Sequence, residues 1–169
     1  MADPVRIEPF DRRRHDRSRF AYGVAALDDY LRTRLGQHDR KDLSRGWVAV
    51  APADVVVGYY TLASGRISVN VLPERGGLPA RMPLPTTLLG RLAVDRTWQG
   101  RGLGAALLAH ALRVAVRNAE SIASAVIEVD AKDEGARAFY ARYGFKSLID
   151  DRLHLYLPME TARALVAPR

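Results

Sequence analysis

The stretch Gln99-Gly-Arg-Gly-Leu-Gly104 has the residue types and spacing to hold an anion. Glycines at 100, 102 and 104 remove the Cβ atoms that would keep a phosphate oxygen away from backbone N–H groups. Before them, Leu88 to Val94 reads as a buried strand. After them, an apolar period predicts a helix from about Leu103 to Arg117. Strand, glycine turn and helix start together offer first-turn amides with no partner inside the helix, at the positive end of its dipole. The glycines run G-x-G-x-G, not the G-x-G-x-x-G of a dinucleotide site. The motif also lies mid-chain, and no acidic ribose ligand follows at the usual distance. Without a Lys-Ser or Lys-Thr pair it is not a Walker A loop. The alternative is a glycine-rich turn that binds nothing.

The elements that must position this loop can be read in order. Val5 to Glu8 is a first edge strand, and Asp11 to Arg19 a charged linker. Gly23 precedes a predicted helix from about Ala25 to Gln37, with the stripe Leu27, Tyr30, Leu31 and Leu35 at helical spacing. Arg32 lies off that stripe and Arg34 near its edge, forming either a solvated face or a basic patch toward substrate. Trp47 to Val50 and Val55 to Ala63 flank a Pro-Ala-Asp turn and predict a hairpin. Ile67 to Leu72 alternates weakly, as a further strand. Pro73, Gly76, Gly77, Pro79, Pro83 and Pro85 punctuate the next stretch, which predicts a long loop without regular structure, carrying Arg75 and Arg81. Ala125 to Ala131 reads as a strand, and Asp133 caps a helix through about Tyr143 that Gly144 ends. Phe145 to Ile149 and Leu153 to Leu157 are short strands, and Glu160 to Val166 is a helical tail.

With 169 residues, 48% apolar and 27% charged, the chain is expected to be one globular domain, 1–169. It has no cysteine, which removes disulfide and thiol chemistry and is compatible with the cytoplasm. No segment reads as a signal peptide or membrane span, so no membrane partner is expected. The four histidines (15, 38, 110, 154) lack metal-ligand spacing and read as surface residues; no metal is expected. Net charge is +7, and only three of the 26 basic residues are lysine. Arginine codon bias explains arginine over lysine, but not the excess over 19 acids. Guanidinium forks suit phosphates, so a polyanionic partner is favoured.

Gln99-Gly-Arg-Gly-Leu-Gly104 resembles the Q/R-x-x-G-x-G/A signature of the GNAT N-acetyltransferases, whose loop cradles the pyrophosphate of acetyl-CoA. Asp130 to Phe145 resembles that family's other landmark: a strand, a helix carrying Ala-x-x-Phe-Tyr, then x-x-Gly-Phe. Within the family, Phe20-Ala-Tyr-Gly-x-x-x-Leu-Asp-Asp-Tyr-Leu31, Val57-Gly-Tyr-Tyr-Thr-Leu62, Pro83-Leu-Pro, Leu89-Gly-Arg-Leu-Ala-Val-Asp95 and Val129-Asp-Ala-Lys-Asp-Glu134 look like the TacT-type toxins. Those bacterial proteins acetylate the α-amino group of aminoacyl-tRNA, block translation and are encoded beside a ribbon-helix-helix antitoxin. Tyr22 departs from relatives that often carry cysteine there.

The resemblance implies an α/β GNAT fold, a mixed central β-sheet flanked by α-helices. It implies acetyl-CoA as co-substrate, with free backbone at Leu92, Ala93 and Val94 holding the pantetheine arm and the acetyl carbonyl. An amide near Val94 would polarise the thioester oxygen. Gln99, Gly100, Arg101, Gly102, Leu103, Gly104 and Ala105 would bind pyrophosphate. Tyr140 matches the family tyrosine near the sulfur and would protonate the leaving thiolate; taken alone, its spacing with Ala136 and Tyr143 suits core packing equally, and Tyr143 reads as structural. An α-amine titrates near about 8, so no strong general base is required; Asp95 reads as a turn or cap residue. Arg32, Arg34, Arg81, Arg91 and Arg96 are the expected tRNA-facing residues, although the strand position of Arg91 could also pair it with an internal carboxylate. Implied partners are aminoacyl-tRNA, the ribbon-helix-helix antitoxin and a second copy in a homodimer. Two other readings stay open: a GNAT enzyme for a small amine or protein N-terminus, and a non-enzymatic module binding nucleic acid and CoA.

Overall fold

The computed structural model describes residues 4–79 and 81–168. In chain order the elements are β1 (Arg6–Pro9), α1 (Ala25–Asp29), α2 (Leu35–Arg40), β2 (Arg45–Ala51), β3 (Val55–Ser68), β4 (Pro83–Val94), α3 (Leu103–Asn118), β5 (Val126–Asp130), α4 (Glu134–Ala141), β6 (Lys146–Leu148), β7 (Asp151–Pro158) and α5 (Met159–Val166). The strands hydrogen-bond in the order β1-β2-β3-β4-β5-β7-β6. β4 and β5 run parallel, with Thr86 opposite Val126 and Leu89 opposite Val129, while β1–β2, β2–β3, β5–β7 and β6–β7 are antiparallel. The mixed sheet with helices expected from the sequence is therefore present.

The chain divides into two compact units. Unit 1 is Met1–Ala63 with Gly90–Ala111, and unit 2 is Ser64–Leu89 with Leu112–Arg169. Unit 1 has a core of Phe20, Tyr30, Leu31, Leu35, Val48 and Tyr59 among others. Tyr59 is fully buried, its hydroxyl donates to the Leu27 carbonyl at 2.7 Å, and burial pushes the phenol's pKa up. Unit 2 has a separate cluster that includes Ile67, Val69, Leu84, Val126 and Tyr156. The β2–β3 hairpin forms as the spacing predicts. Ala53 and Asp54 take positive φ in its turn, and Trp47 stacks on its cross-strand partner Tyr60 at 5.2 Å.

Several sequence expectations need correction. The helix expected over 25–37 is interrupted by a π turn, Tyr30–Arg34, and ends later, at Arg40. Thr33 Oγ1 donates to the Asp29 carbonyl at 2.6 Å, a side-chain bond that competes with the helix ladder. The loop expected through Pro85 ends earlier, because β4 starts at Pro83. Pro83 and Pro85 point outward while Leu84 and Thr86 are buried, so the prolines occupy the exposed side of the pleat. The strand expected over 67–72 stops at Ser68, whose hydroxyl accepts from the Asn70 N–H and starts a 3₁₀ turn. The charged 11–19 stretch is not only a linker: Asp16 forms a bridge to Val55. The histidines are not surface residues. His15 is buried, with Nε2 2.7 Å from Glu8 and Nδ1 accepting the Asp11 N–H at 2.9 Å. His38, His110 and His154 are half-buried beside Tyr30, Tyr60 and Glu128 respectively. Polar neighbours brought close by the fold, from Glu8 beside His15 to Tyr60 beside His110, supplied what spacing could not show.

Candidate active site

In unit 1, β4 delivers the chain to Asp95, where it turns. The Asp95 carboxylate accepts the Thr97 N–H at 2.9 Å, the Thr97 hydroxyl at 2.7 Å and the Ala21 N–H at 2.9 Å. Burial pushes this carboxyl's pKa up, but these hydrogen bonds outweigh it and leave the pKa below the usual value. Asp95 thus has the cap role read from the sequence. The short 3₁₀ turn Arg96–Trp98 follows, and then the Gln99 amide folds back, its Nε2 donating to the Val94 carbonyl at 3.0 Å. This bond ties the glycine loop to the end of the strand.

Gly100 and Gly102 take φ of +77° and +80°. No atom lies within 4 Å of where a Cβ would stand at either, so the backbone conformation, not crowding, calls for glycine. α3 then starts at Leu103. The Ala106 N–H donates to the Gly102 carbonyl at 3.1 Å, so the amides of Leu103, Gly104 and Ala105 have no acceptor inside the helix. Gln99, Gly100, Arg101 and Gly102 are exposed. The Arg101 guanidinium lies over the Trp98 ring at 4.5 Å. Amides without an acceptor inside the helix, a helix N-terminus and a stacked cation are the groups that suit an anion. Leu92 is half-buried, while Ala93 and Val94 are buried. Helix α3 packs closely: a Cβ at Gly58 would lie 2.9 Å from Leu107 Cδ1 and 3.3 Å from the Ala93 carbonyl oxygen.

Three of the five candidate arginines meet around the segment 20–23 and Tyr30. Arg32 donates to the Phe20 carbonyl at 2.6 Å. The Arg96 N–H donates to the Ala21 carbonyl at 2.9 Å, and its side chain lies beside Gly23. The Arg91 guanidinium stacks on Tyr30 at 3.6 Å, so it has found a ring where an internal carboxylate was the open alternative. Buried Asp28 holds the same segment, accepting the Tyr22 and Gly23 N–H groups at 2.8 and 3.3 Å. Sequence reading gave Asp28 no role, although it stands in the quoted Leu-Asp-Asp-Tyr run. Arg34 is exposed.

Unit 2 carries Tyr140 and Arg81. Asp133 caps α4, accepting the Ala136 N–H at 2.8 Å, and Gly144 ends the turn at φ +95°. Hydrogen bonds from Arg152, then Arg137, hold the Glu134 carboxyl down at about 2. Tyr140 is buried, edge-on to Phe139 and Phe145 at 5.2 and 5.5 Å, and Tyr143 packs against Phe139. Arg81 is exposed and, with Arg66, Ser68 and Asn70, lines a cavity of about 500 Å³. Thr86, Glu128 and His154 form a polar group within unit 2 that sequence reading missed. Its only trace there is one acid inside the apolar run Val126-Ile-Glu-Val.

A parallel β4–β5 pair, a left-handed glycine loop and a helix that starts directly after it are the features to set beside known proteins. The acetyltransferase (GNAT) family model matches residues 11–145, and the chain belongs to that family. The chain is 42% identical to the "tRNA-acetylating toxin" of Mycobacterium tuberculosis, over 96% of this chain and 95% of that protein. It is also similar to AtaT complexed with acetyl-methionyl-tRNAfMet, with a TM-score of 0.89, 31% identity and coverage of 97% and 100%. A variant AtaT toxin bound to the C-terminus of the antitoxin AtaR and acetyl-CoA matches with a TM-score of 0.84, 30% identity and coverage of 98% and 100%.

Proposed function

We propose that this chain is an acetyl-CoA-dependent N-acetyltransferase that acetylates the α-amino group of aminoacyl-tRNA, blocks translation and acts as the toxin of a toxin–antitoxin pair. The likeness, over nearly its whole length, to a toxin solved with its acetylated tRNA carries this reading. The same reading treats 1–169 as one working domain in the cytoplasm, where charged tRNA is found. It takes the antitoxin to be of the ribbon-helix-helix class and allows a homodimer.

The roles follow from chemistry. The glycine loop and the amides of Leu103 to Ala105 hold the pyrophosphate of acetyl-CoA, and Arg101 adds charge at the rim. The backbone at Leu92 to Val94 holds the pantetheine arm, and an amide near Val94 polarises the thioester carbonyl. The neutral amine attacks that carbonyl and forms the C–N bond, the C–S bond breaks, Tyr140 passes its phenolic proton to the departing thiolate, and the nitrogen gives up a proton to water while the phenolate regains one from water. Arg32, Arg34, Arg81, Arg91 and Arg96 contact tRNA phosphates, adding affinity without reading sequence. Arg32 and Arg91 are partly committed to Phe20 and Tyr30, so Arg34, Arg81 and Arg96 carry most of this role.

The test is incubation with labelled acetyl-CoA and total charged tRNA, followed by alkaline release of the ester. Label recovered as an N-acetylamino acid is the expected result. Label found only on polyamines or on protein would overturn the tRNA assignment in favour of the small-amine or protein reading.

A further inference from the structure

The arginines of unit 1 fall into two groups. Arg6 and Arg14 pair with Glu8 and Asp54, and Arg45 pairs with Asp39 and Asp42. Arg12, Arg13 and Arg40 form no ion pair among the described residues, yet all three are exposed and, with Asp11, line one cavity of about 470 Å³. Asp11 brings one negative charge against three positive ones, and its Oδ1 accepts the backbone N–H of Arg13 at 2.9 Å. A concavity lined by one sign of charge repels itself and draws in the opposite sign. The crowding also shows at Arg17, whose pKa burial and then the Arg12 charge hold below the ordinary value.

The cavity stands apart from the glycine loop. β3 meets the turn before that loop at Val57, whose carbonyl accepts the Asp95 N–H at 2.9 Å. Further along β3, Leu62 stands opposite Arg45, the first residue of β2. At about 3.3 Å per residue, the strand from Val57 to Leu62 spans roughly 17 Å. At this far end the Gly46 carbonyl accepts the Phe10 N–H at 2.9 Å, just before Asp11. The Asp39 carboxylate pairs with Arg45 and accepts the Gly46 N–H at 3.3 Å, just before Arg40. Two hydrogen-bonded anchors thus bring residues 11–13 and the end of α2 to the same place.

We propose that Arg12, Arg13 and Arg40 form a second nucleic-acid contact, which grips backbone phosphates of a tRNA stem behind its charged end. The inference rests on the aminoacyl-tRNA reading above. Guanidinium forks match phosphate oxygens two at a time. The described lining residues are all charged and offer no apolar anchor, which a bound peptide segment would want. Phosphate contacts position a nucleic acid without reading its sequence, so this patch serves tRNAs of any identity. Its distance from the glycine loop assigns it to the stem, not to the terminal nucleotide. It thereby gives whole tRNA an affinity that a small amine or a free aminoacyl ester lacks.

The test uses the full chain and two acceptors, total charged tRNA and a short aminoacylated trinucleotide, with CoA in place of acetyl-CoA for binding. A chain carrying Arg12→Ala, Arg13→Ala and Arg40→Ala together is expected to bind whole tRNA roughly tenfold more weakly or worse. The slope of its log affinity against log salt is expected to fall by about 2–3. Acetyl-CoA affinity in calorimetry and acetyl transfer to the trinucleotide are expected to stay unchanged. Unaltered tRNA affinity and slope would overturn the proposal. An equal loss for tRNA and trinucleotide would also overturn it, because the three arginines would then act through the fold or the reaction centre. Loss of affinity for a poly-glutamate peptide, with tRNA binding intact, would assign the patch to an acidic protein segment instead. Should the triple variant fail to fold, the single variants decide: a slope lower by about 1 supports the patch, and an unchanged slope in all three overturns it. If the unaltered protein transfers no acetyl group to either acceptor while the triple variant still loses tRNA affinity and slope, the functional reading fails and the patch stands.

Discussion

In unit 1 the groups proposed to hold acetyl-CoA are mainly backbone. Two left-handed glycines and the amides of Leu103 to Ala105 form the loop, and carboxylates at Asp28 and Asp95 fix main chain beside it. In unit 2 the group proposed to act is a buried side chain, Tyr140 among rings. A backbone site is damaged by adding atoms, a side-chain site by removing them. The two regions should therefore respond to opposite kinds of substitution.

The largest expected effect is in unit 2. Tyr140→Phe deletes one oxygen and is expected to cut turnover by roughly 10²–10⁴-fold, with acetyl-CoA affinity unchanged in calorimetry. Full turnover would reduce Tyr140 to a packing residue and remove the contrast. Next comes addition in unit 1. At φ +80°, Gly102→Ala costs about 1–2 kcal/mol in strain alone. Gly102→Asp adds repulsion of a diphosphate, so acetyl-CoA affinity is expected to fall by roughly 10²-fold against tenfold for alanine. Equal losses for the two variants would show that the loop does not face an anion.

Smaller effects sharpen the picture. Arg34→Glu with Arg81→Glu, one exposed arginine from each unit, is expected to lower the slope of log tRNA affinity against log salt by about 2. An unchanged slope would remove both from the tRNA surface. Asp95→Asn sets an NH₂ against backbone donors and is expected to cost roughly 1–3 kcal/mol in denaturant unfolding.

The smallest effect is on pH. Burial, then Arg14, lowers the His15 pKa below its ordinary 6.5. The folded state thus binds fewer protons than the unfolded chain just below pH 6.5, and stability is expected to fall as pH drops through that window. His15→Asn should flatten this slope, because protonating the native ring also displaces the Asp11 N–H from Nδ1.

The sequence alone determined what depends on neighbours along the chain. The glycine loop, the α3 stripe, the Asp133 cap and the β2–β3 turn all came from residues within a few positions of each other, where steric freedom and period leave few conformations. The motifs also carried the family. Tertiary structure decided what needs partners from afar. Arg91 could have met an acid or a ring, and Tyr30, 61 residues earlier, decided for the ring. Prolines at 83 and 85 looked like loop until the parallel pairing of β4 with β5 left their side exposed. Glu128 shows in the sequence only as one acid inside an apolar strand. Only the register of three strands puts it on one face with Thr86 and Tyr156, because a side chain's neighbours are settled in space and not in sequence.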